Sequence, residues 1–189
     1  MKNFDVLLHS WKTVFSYVDL TLLLGTSNIN TLKSFTQRTV KQNLLEKITN
    51  GVYAFKKYDF LELASSMRKK SYISLETVLQ KEGVIFQDYS HMVTLVSDNT
   101  LEKGVAGKII KFSKIKDSIL LNPLGLEYTG RYFIASKERA ICDRVYLSGD
   151  YYFDNLSGVD FQKLEEIASI YNKSTFLHIK KLIKHAASR

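Results

Sequence analysis

The sequence has few cysteine, proline and glycine residues and no long apolar run. Its 189 residues include one cysteine, one proline and nine glycines, which excludes an intrachain disulfide framework and a low-complexity linker. No apolar run approaches the roughly 20 residues that cross a bilayer. The N-terminal stretch MKNFDVLLHSWKTV lacks the long apolar core and cleavage site of a signal peptide. We therefore expect a cytoplasmic protein without a membrane partner.

The composition that remains is that of a globular protein with an excess of basic side chains. The hydrophobic fraction is 45% and the charged fraction 24%, and the net charge of +8 comes from 27 Lys and Arg against 19 Asp and Glu. Residues 1–57 hold eight basic and three acidic side chains, whereas the rest of the chain holds 19 and 16. The excess is therefore concentrated near the N-terminus, which favours a polyanionic partner for that region.

Three helices are predicted within the first 42 residues. A first helix over about residues 3–14 is indicated by apolar residues at helical spacing: Phe4, Leu7, Leu8 and Trp11. The stretch SYVDLTLLLG predicts a second, short helix that Gly25 ends in the left-handed conformation. A third helix over about residues 30–42 follows three possible N-cap residues: Thr26, Ser27 and Asn28.

The third predicted helix has an apolar side and a polar stripe. The apolar side comprises Leu32, Phe35, Thr39 and Val40. The polar stripe comprises Lys33, Ser34, Gln37, Arg38 and Lys41. Lysine and arginine neutralise phosphates, and glutamine can pair with adenine in the major groove, so the stripe suits duplex DNA. It equally fits the solvated face of an ordinary surface helix.

A β-hairpin is predicted in the next segment, KQNLLEKITNGVYAF. Asn50-Gly51 favours a type I′ turn, which would place Ile48 opposite Tyr53 and Glu46 opposite Phe55. Three helices followed by such a hairpin is the order of a winged helix. Basic and polar residues at the hairpin tip would then approach the DNA backbone or minor groove: Lys47, Thr49 and Asn50, with Lys56 and Lys57 after the second strand. We predict a winged helix-turn-helix DNA-binding domain over residues 1–57.

The remaining residues, 58–189, predict a mixed α/β domain with a small sheet flanked by helices, so that the whole chain is of the α+β class. Helices are expected over about 58–70, from a Ser74 cap to Gly83, after a Ser136 cap, and over about 160–171 and 175–187. Strands are expected over 91–96 and 105–112, with a hairpin around Thr129-Gly130.

Residues 58–189 offer no recognisable catalytic, metal or cofactor site. Cys142 falls on the apolar side of a predicted helix, where a buried structural thiol is expected. The four histidines lack metal-ligand spacing, and GVAGK lacks the length and hydroxyl residue of a phosphate loop. We predict that the protein is not an enzyme. A basic face on the last helix is either solvated or a second polyanion-binding surface: Lys180, Lys181 and Lys184.

Three segments between about Val18 and Ile183 resemble AbiEi-type antitoxins. NLLEKITNGVYAF resembles the ending of the family's wing, and SYISLETVLQKEGV resembles its Tyr-Ile-Ser segment and following helix. YFIASKERAICDRVYL resembles its Ala-Ser-Pro-Glu-Lys-Ala-Leu-x-Asp-Leu-Leu-Tyr segment. Two positions depart from the family pattern: Lys137 replaces a proline, and Arg144 replaces an apolar residue.

The resemblance implies a type IV toxin–antitoxin or phage-defence system. The antitoxin's winged helix would bind inverted repeats of double-stranded DNA upstream of its operon and repress it. Its C-terminal domain would contribute to repression and oppose a nucleotidyltransferase-like toxin without forming a stable complex. Two alternatives remain open from the residues: a nucleic-acid-processing enzyme, and an interaction adaptor that uses the winged helix to position a substrate or partner.

Overall fold

The computed structural model describes residues 2–186, which form two compact units of mixed helix and sheet. The first unit runs to Met67 and the second begins at Arg68. The predicted α+β class is confirmed at this level. Every helix among the described residues is too short or too polar to cross a bilayer.

The first unit contains a three-stranded antiparallel sheet and four helices within its described residues. In chain order these are α1 (Lys2–His9), β1 (Val14–Ser16), α2 (Tyr17–Leu24), α3 (Ile29–Lys41), β2 (Glu46–Thr49), β3 (Val52–Ala54) and α4 (Phe60–Ser66). β3 lies between β1 and β2 in the sheet. One apolar cluster joins helices and sheet: Leu7, Phe15, Leu20, Leu32, Phe35, Leu45 and Tyr53.

Local capping signals fix the ends of α2 and α3. Ser16 and Asp19 form a reciprocal capping box at the start of α2, and Gly25 ends that helix with φ of 64°. Asn28 then accepts hydrogen bonds from the backbone N–H groups of Asn30 and Thr31 at the start of α3. The short turn between the two helices is therefore set by the backbone conformation of Gly25 and the side chain of Asn28, as their residue types predict.

The first predicted helix is too long. It extends to residue 14, whereas α1 ends at His9 and Val14–Ser16 form the strand β1. β1 pairs with β3 across the register Val14 to Ala54 and Ser16 to Val52. Trp11, expected on the apolar side of the helix, is 84% exposed. Pairing with a strand nearly 40 residues away overrides the local helical pattern.

The hairpin is present, but its predicted register is wrong. Glu46 lies opposite Ala54, Lys47 opposite Tyr53 and Thr49 opposite Val52, with the register shifting between Lys47 and Thr49. Of the two turn residues only Gly51 has a positive φ, of 77°, so the turn is not type I′. The extra residue of the bulge moves the remaining pairs by one position.

The first unit extends ten residues beyond the boundary expected from the sequence, because α4 bonds to the segment before β1. The backbone N–H and hydroxyl of Thr13 donate to Glu62 Oε2, at 2.9 and 2.7 Å. Lys12 Nζ lies 3.7 Å from the other oxygen of this buried carboxylate.

With the boundary at Met67, residues 1–67 hold eight basic and five acidic side chains, and the remaining residues hold 19 basic and 14 acidic ones. The basic excess is not concentrated in the first unit.

The second unit contains a mixed six-stranded sheet with helices. Its elements are β4 (Ser71–Ile73), α5 (Glu76–Lys81), β5 (Met92–Ser97), β6 (Leu101–Val105), β7 (Lys108–Lys114), α6 (Asp117–Leu120), β8 (Leu126–Tyr128), β9 (Phe133–Ala135), α7 (Lys137–Ser148), α8 (Phe161–Ala168) and α9 (Lys173–Ala186). The strand order is β6-β7-β5-β4-β9-β8, with β5·β7 and β4·β9 parallel and the other pairs antiparallel.

Three predictions for residues 58–189 are wrong in detail. The predicted strand 105–112 is divided, because Ala106 and Gly107, with φ of 47° and 78°, form the turn between β6 and β7. Ser74 does not cap α5, since its hydroxyl donates to Asp143 Oδ2 at 2.7 Å. The predicted helix 58–70 spans only Phe60–Ser66. The predicted end of the last helix, Ala187, lies outside the described residues.

A buried polar cluster joins β4, α7 and the segment after α8. Arg139 and Asp143, one turn apart on α7, are both fully buried, with Arg139 Nε 3.6 Å from Asp143 Oδ1. The hydroxyls of Tyr72, Ser74 and Tyr171 all donate to the Asp143 carboxylate. Arg139 donates in turn to Tyr72 and to two backbone carbonyl oxygens. Arg139 and Asp143 are thus paired with each other and hydrogen-bonded to neighbouring groups, as buried charges require.

Candidate nucleic-acid interface

The polar stripe predicted on α3 is on the surface of the first unit. Leu32, Phe35 and Thr39 are buried on the opposite side of the helix, with Thr36 beside them. All five stripe residues are exposed: Lys33, Ser34, Gln37, Arg38 and Lys41. Lys41 is eight positions after Lys33, so the stripe runs along roughly 12 Å of helix.

The cations of the α3 stripe are not neutralised by neighbours. The helix contains no acidic residue. Lys33, Arg38 and Lys41 make no ion pair with any residue in the range 2–186. Arg38 and Lys41 lie in the last turn, where cations also interact favourably with the helix dipole. The stripe thus presents to solvent three positive charges that form no ion pair within the described residues.

The β2–β3 hairpin follows α3 directly and carries the second set of predicted contacts. Lys47 and Asn50 are exposed and Thr49 is half-buried. Lys56 and Lys57, just after β3, are also exposed. The hairpin tip therefore presents a cation and two hydrogen-bonding side chains on the same unit as the stripe.

A pair of tyrosines fixes the hairpin to α2. The Tyr17 and Tyr53 hydroxyl oxygens lie 3.1 Å apart, and their rings pack edge to face with centroids 5.8 Å apart. The Tyr17 ring also covers Gly51 at the turn, where an added Cβ would lie 3.4 Å from it. Burial raises the pKa of Tyr53. The sequence alone does not predict this contact, because Tyr17 and Gly51 are 34 positions apart and no local pattern joins them.

The chemistry of this surface suits a phosphate backbone. Ammonium and guanidinium groups attract phosphates without regard to sequence, whereas Arg38 and Gln37 also have donors in geometries that pair with guanine and adenine edges. The major groove admits one α-helix, and a stripe along one helix face is the pattern that such insertion needs.

The second basic surface, on α9, is less free than the α3 stripe. Lys180, Lys181 and Lys184 are exposed there. Lys180 Nζ lies 3.1 Å from Glu165 Oε1 and 4.8 Å from the centroid of the Phe176 ring. On the same helix, His178 Nε2 lies 3.3 Å from Asp150 Oδ1. Part of this positive surface is therefore compensated within the second unit.

Cys142 and the potential metal ligands form no recognisable catalytic or metal site among the described residues. Cys142 is fully buried in α7 with its Sγ 3.8 Å from the Leu164 carbonyl oxygen, and burial raises its pKa well above the usual value. Within residues 2–186 no three or more His, Cys, Asp or Glu side chains are grouped so as to hold a metal ion. Arg144, the departure noted above, pairs with Glu76 and lies 5.1 Å from the Tyr151 ring centroid.

Comparisons with known proteins identify a fold relative only. No family model and no curated protein matches the chain. Among solved structures, the crystal structure of the RV2827C protein from Mycobacterium tuberculosis is similar with a TM-score of 0.50 and 13% identity. The similarity covers 91% of this chain and 71% of that one. At this identity the likeness concerns the fold alone.

Proposed function

We propose that the first unit is a winged helix that binds double-stranded DNA, with α3 in the major groove and the hairpin against the backbone or minor groove. The proposal rests mainly on the α3 stripe, in which three exposed cations have no ion-pair partner among the described residues. Gln37 and Arg38 read bases. Lys33, Ser34, Lys41, Lys47, Thr49 and Asn50 hold phosphates and sugars.

The order of elements supports this proposal. Helix, strand, helix, helix and hairpin follow one another, and the strand between the first two helices pairs with the second strand of the hairpin. An isolated two-stranded hairpin is marginally stable at best. Pairing with β1 makes this hairpin part of a three-stranded sheet in the same unit as α3.

We further propose that the protein is a cytoplasmic antitoxin of the AbiEi type that represses its own operon at upstream inverted repeats. This part rests on the three segments that resemble the family. The second unit then contributes to repression, with Lys180, Lys181 and Lys184 as additional phosphate contacts. It opposes a nucleotidyltransferase-like toxin functionally, without a stable complex.

The DNA-binding proposal is tested by measuring binding of the full chain to its own upstream region across a salt series. Affinity should fall steeply with salt, with a slope of log K against log salt of about −0.9 for each phosphate neutralised. Absence of retardation at low salt would end the proposal.

Two variants and one control test the assignment of α3. Gln37→Ala and Arg38→Ala should each weaken binding to the upstream repeats by about 1–3 kcal/mol and reduce the preference over unrelated duplex. Lys103→Ala, an exposed lysine on β6, is the matched control and should leave affinity unchanged. Equal losses for Arg38→Ala and Lys103→Ala would show that only overall charge matters.

The antitoxin proposal needs a separate experiment. A neighbouring gene product of the nucleotidyltransferase type should arrest growth alone and lose that effect when this chain is co-expressed. Growth arrest that persists would overturn the antitoxin proposal and leave the DNA-binding proposal to its own test.

A further inference from the structure

The two edges of the six-stranded sheet in the second unit differ in chemistry. β6 forms one edge and carries exposed Glu102 and Lys103 beside Gly104, a charged sequence that discourages pairing with another chain. β8 forms the other edge, where Tyr128 is 62% exposed and the one charged residue, Glu127, is exposed on the opposite face of the strand. Among the described residues, this edge has no strand on its outer side.

The β8 edge presents main-chain groups for one further strand. Hydrogen bonds from Ser136 N–H to the Gly125 carbonyl and from Thr129 N–H to the Tyr132 carbonyl flank the β8–β9 pair. Because hydrogen-bonded pairs alternate along an antiparallel ladder, the backbone groups of Leu126 and Tyr128 point away from β9. Leu126 N–H already bonds to the Pro123 carbonyl at 2.9 Å. The outer edge therefore offers two carbonyl oxygens and the Tyr128 N–H.

An apolar cavity of about 260 Å³ lies beside this edge. Its wall includes Leu126 of β8, Phe133 of β9, Leu120 at the end of α6, and Leu121 and Pro123 after it. Two side chains that line it are unusually exposed for their type, Leu121 at 63% and Phe133 at 49%, and so is the neighbouring Tyr128 at 62%. The Tyr128 and Phe133 rings pack with centroids 5.0 Å apart. The cavity has room for one or two apolar side chains of a bound segment.

Two lysines border the same cavity. Lys69 and Lys70, immediately before β4, are both exposed and line it. Neither makes an ion pair with any residue that the structure describes. Since β4 runs parallel to β9 and β9 antiparallel to β8, the start of β4 lies at the end of the sheet where Tyr128 ends β8. A bound strand would therefore meet positive charge beside the apolar cavity.

We infer that the β8 edge binds an extended, acidic segment of a partner protein, which adds as a strand with an apolar side chain in the cavity and carboxylates on Lys69 and Lys70. Main-chain hydrogen bonds supply affinity in this binding mode, and the cavity with its lysines supplies selection. This site is in the second unit and does not depend on DNA binding by α3.

A second copy of the chain fits this edge less well than an acidic segment does. Pairing two β8 edges would place Lys69 and Lys70 of both copies at one interface, and the chain already carries a net charge of +8. Like charges at an interface oppose association, whereas an acidic segment is attracted.

The test uses two fluorescent seven-residue peptides with the same apolar positions. Thr-Glu-Thr-Phe-Thr-Glu-Thr, in which the glutamates and the phenylalanine share one face of an extended strand, should bind the full chain in an anisotropy titration, and Thr-Lys-Thr-Phe-Thr-Lys-Thr should not. Hydrogen exchange should slow at the Tyr128 amide when the acidic peptide is present. No binding of the acidic peptide, or equal binding of both peptides, would overturn the inference.

Paired variants separate the edge from the charge. Tyr128→Pro removes the outward N–H, and should bind the acidic peptide about fivefold more weakly than Tyr128→Ala, which keeps it. Lys69→Glu with Lys70→Glu should weaken binding by about tenfold, whereas Lys103→Glu on the β6 edge should not. Circular dichroism confirms folding of each variant. Equal affinity across the variants, or chain dimerisation that Tyr128→Pro abolishes, would contradict the inference.

Discussion

Helices α3 and α7 use the same kinds of charged side chain in opposite ways. On α3, Lys33, Arg38 and Lys41 are exposed and without an acidic partner among the described residues. On α7, Arg139 and Asp143 are fully buried, and hydroxyl and carbonyl groups surround them. Burial with complete pairing indicates a structural role, whereas exposure without pairing leaves charge available to a ligand. Burial and pairing therefore distinguish a structural charge from a ligand-binding one better than the type of residue does.

The largest effect that would sharpen this comparison is expected from Asp143→Asn. It leaves the Arg139 guanidinium buried without a counter-ion, and should lower the free energy of unfolding by about 3–5 kcal/mol in urea titrations. Asp150→Asn is the matched control, because the Asp150 side chain is 96% exposed, and should change it by less than about 0.5 kcal/mol. A loss below about 1 kcal/mol for Asp143→Asn would show that the buried pair is dispensable.

A smaller effect is expected from Gly125→Ala, which tests how tightly α7 is packed. Gly125 has φ of 75°, and an added Cβ would lie 2.7 Å from Ile167 Cδ1 and 3.0 Å from Arg139 Cβ. Gly130→Ala has the same kind of backbone strain, with φ of 90°, but open space around the Cβ. The first variant should lose about 1–3 kcal/mol more unfolding free energy than the second. Equal losses would mean that backbone strain alone matters at both sites.

The smallest effect on stability is expected on α3. Gln37→Ala and Arg38→Ala should each change the free energy of unfolding by less than about 0.5 kcal/mol, because both side chains are exposed and make no ion pair with the described residues. The same proteins should show the weakened DNA binding described above. A stability loss comparable to that of Asp143→Asn would break the comparison and assign the α3 stripe a structural role.

The elements best predicted from sequence are those fixed by neighbouring residues. Gly25 ends α2, Asn28 caps α3 and Ser136 caps α7, each with the geometry that its residue type favours. The exposed face of α3 follows from its helical spacing alone. These features need no information from distant parts of the chain.

The features that sequence missed depend on distant partners. β1 is only three residues long and exists because it pairs with β3. The hairpin register depends on a bulge that no residue of the turn specifies. Arg139 and Asp143 at i and i+4 would suit an exposed helix pair. Their burial depends on the hydroxyls of Tyr72, Ser74 and Tyr171 and on two backbone carbonyl oxygens that accept from Arg139. The apolar cavity beside the β8 edge becomes visible only when the strand order is known.

The contiguity of the two units sets the order in which they can fold during synthesis. All partners of the first sheet precede Met67, whereas Tyr72 and Ser74 bond to Asp143, and Asp143 also to Tyr171. At the usual rate of translation, roughly 5–20 s separate the synthesis of Tyr72 from that of Tyr171. For that interval the polar centre of the second unit is incomplete, while α3 and its hairpin already have every contact that they need. The nascent chain therefore acquires its basic helix before it can close the sheet that follows.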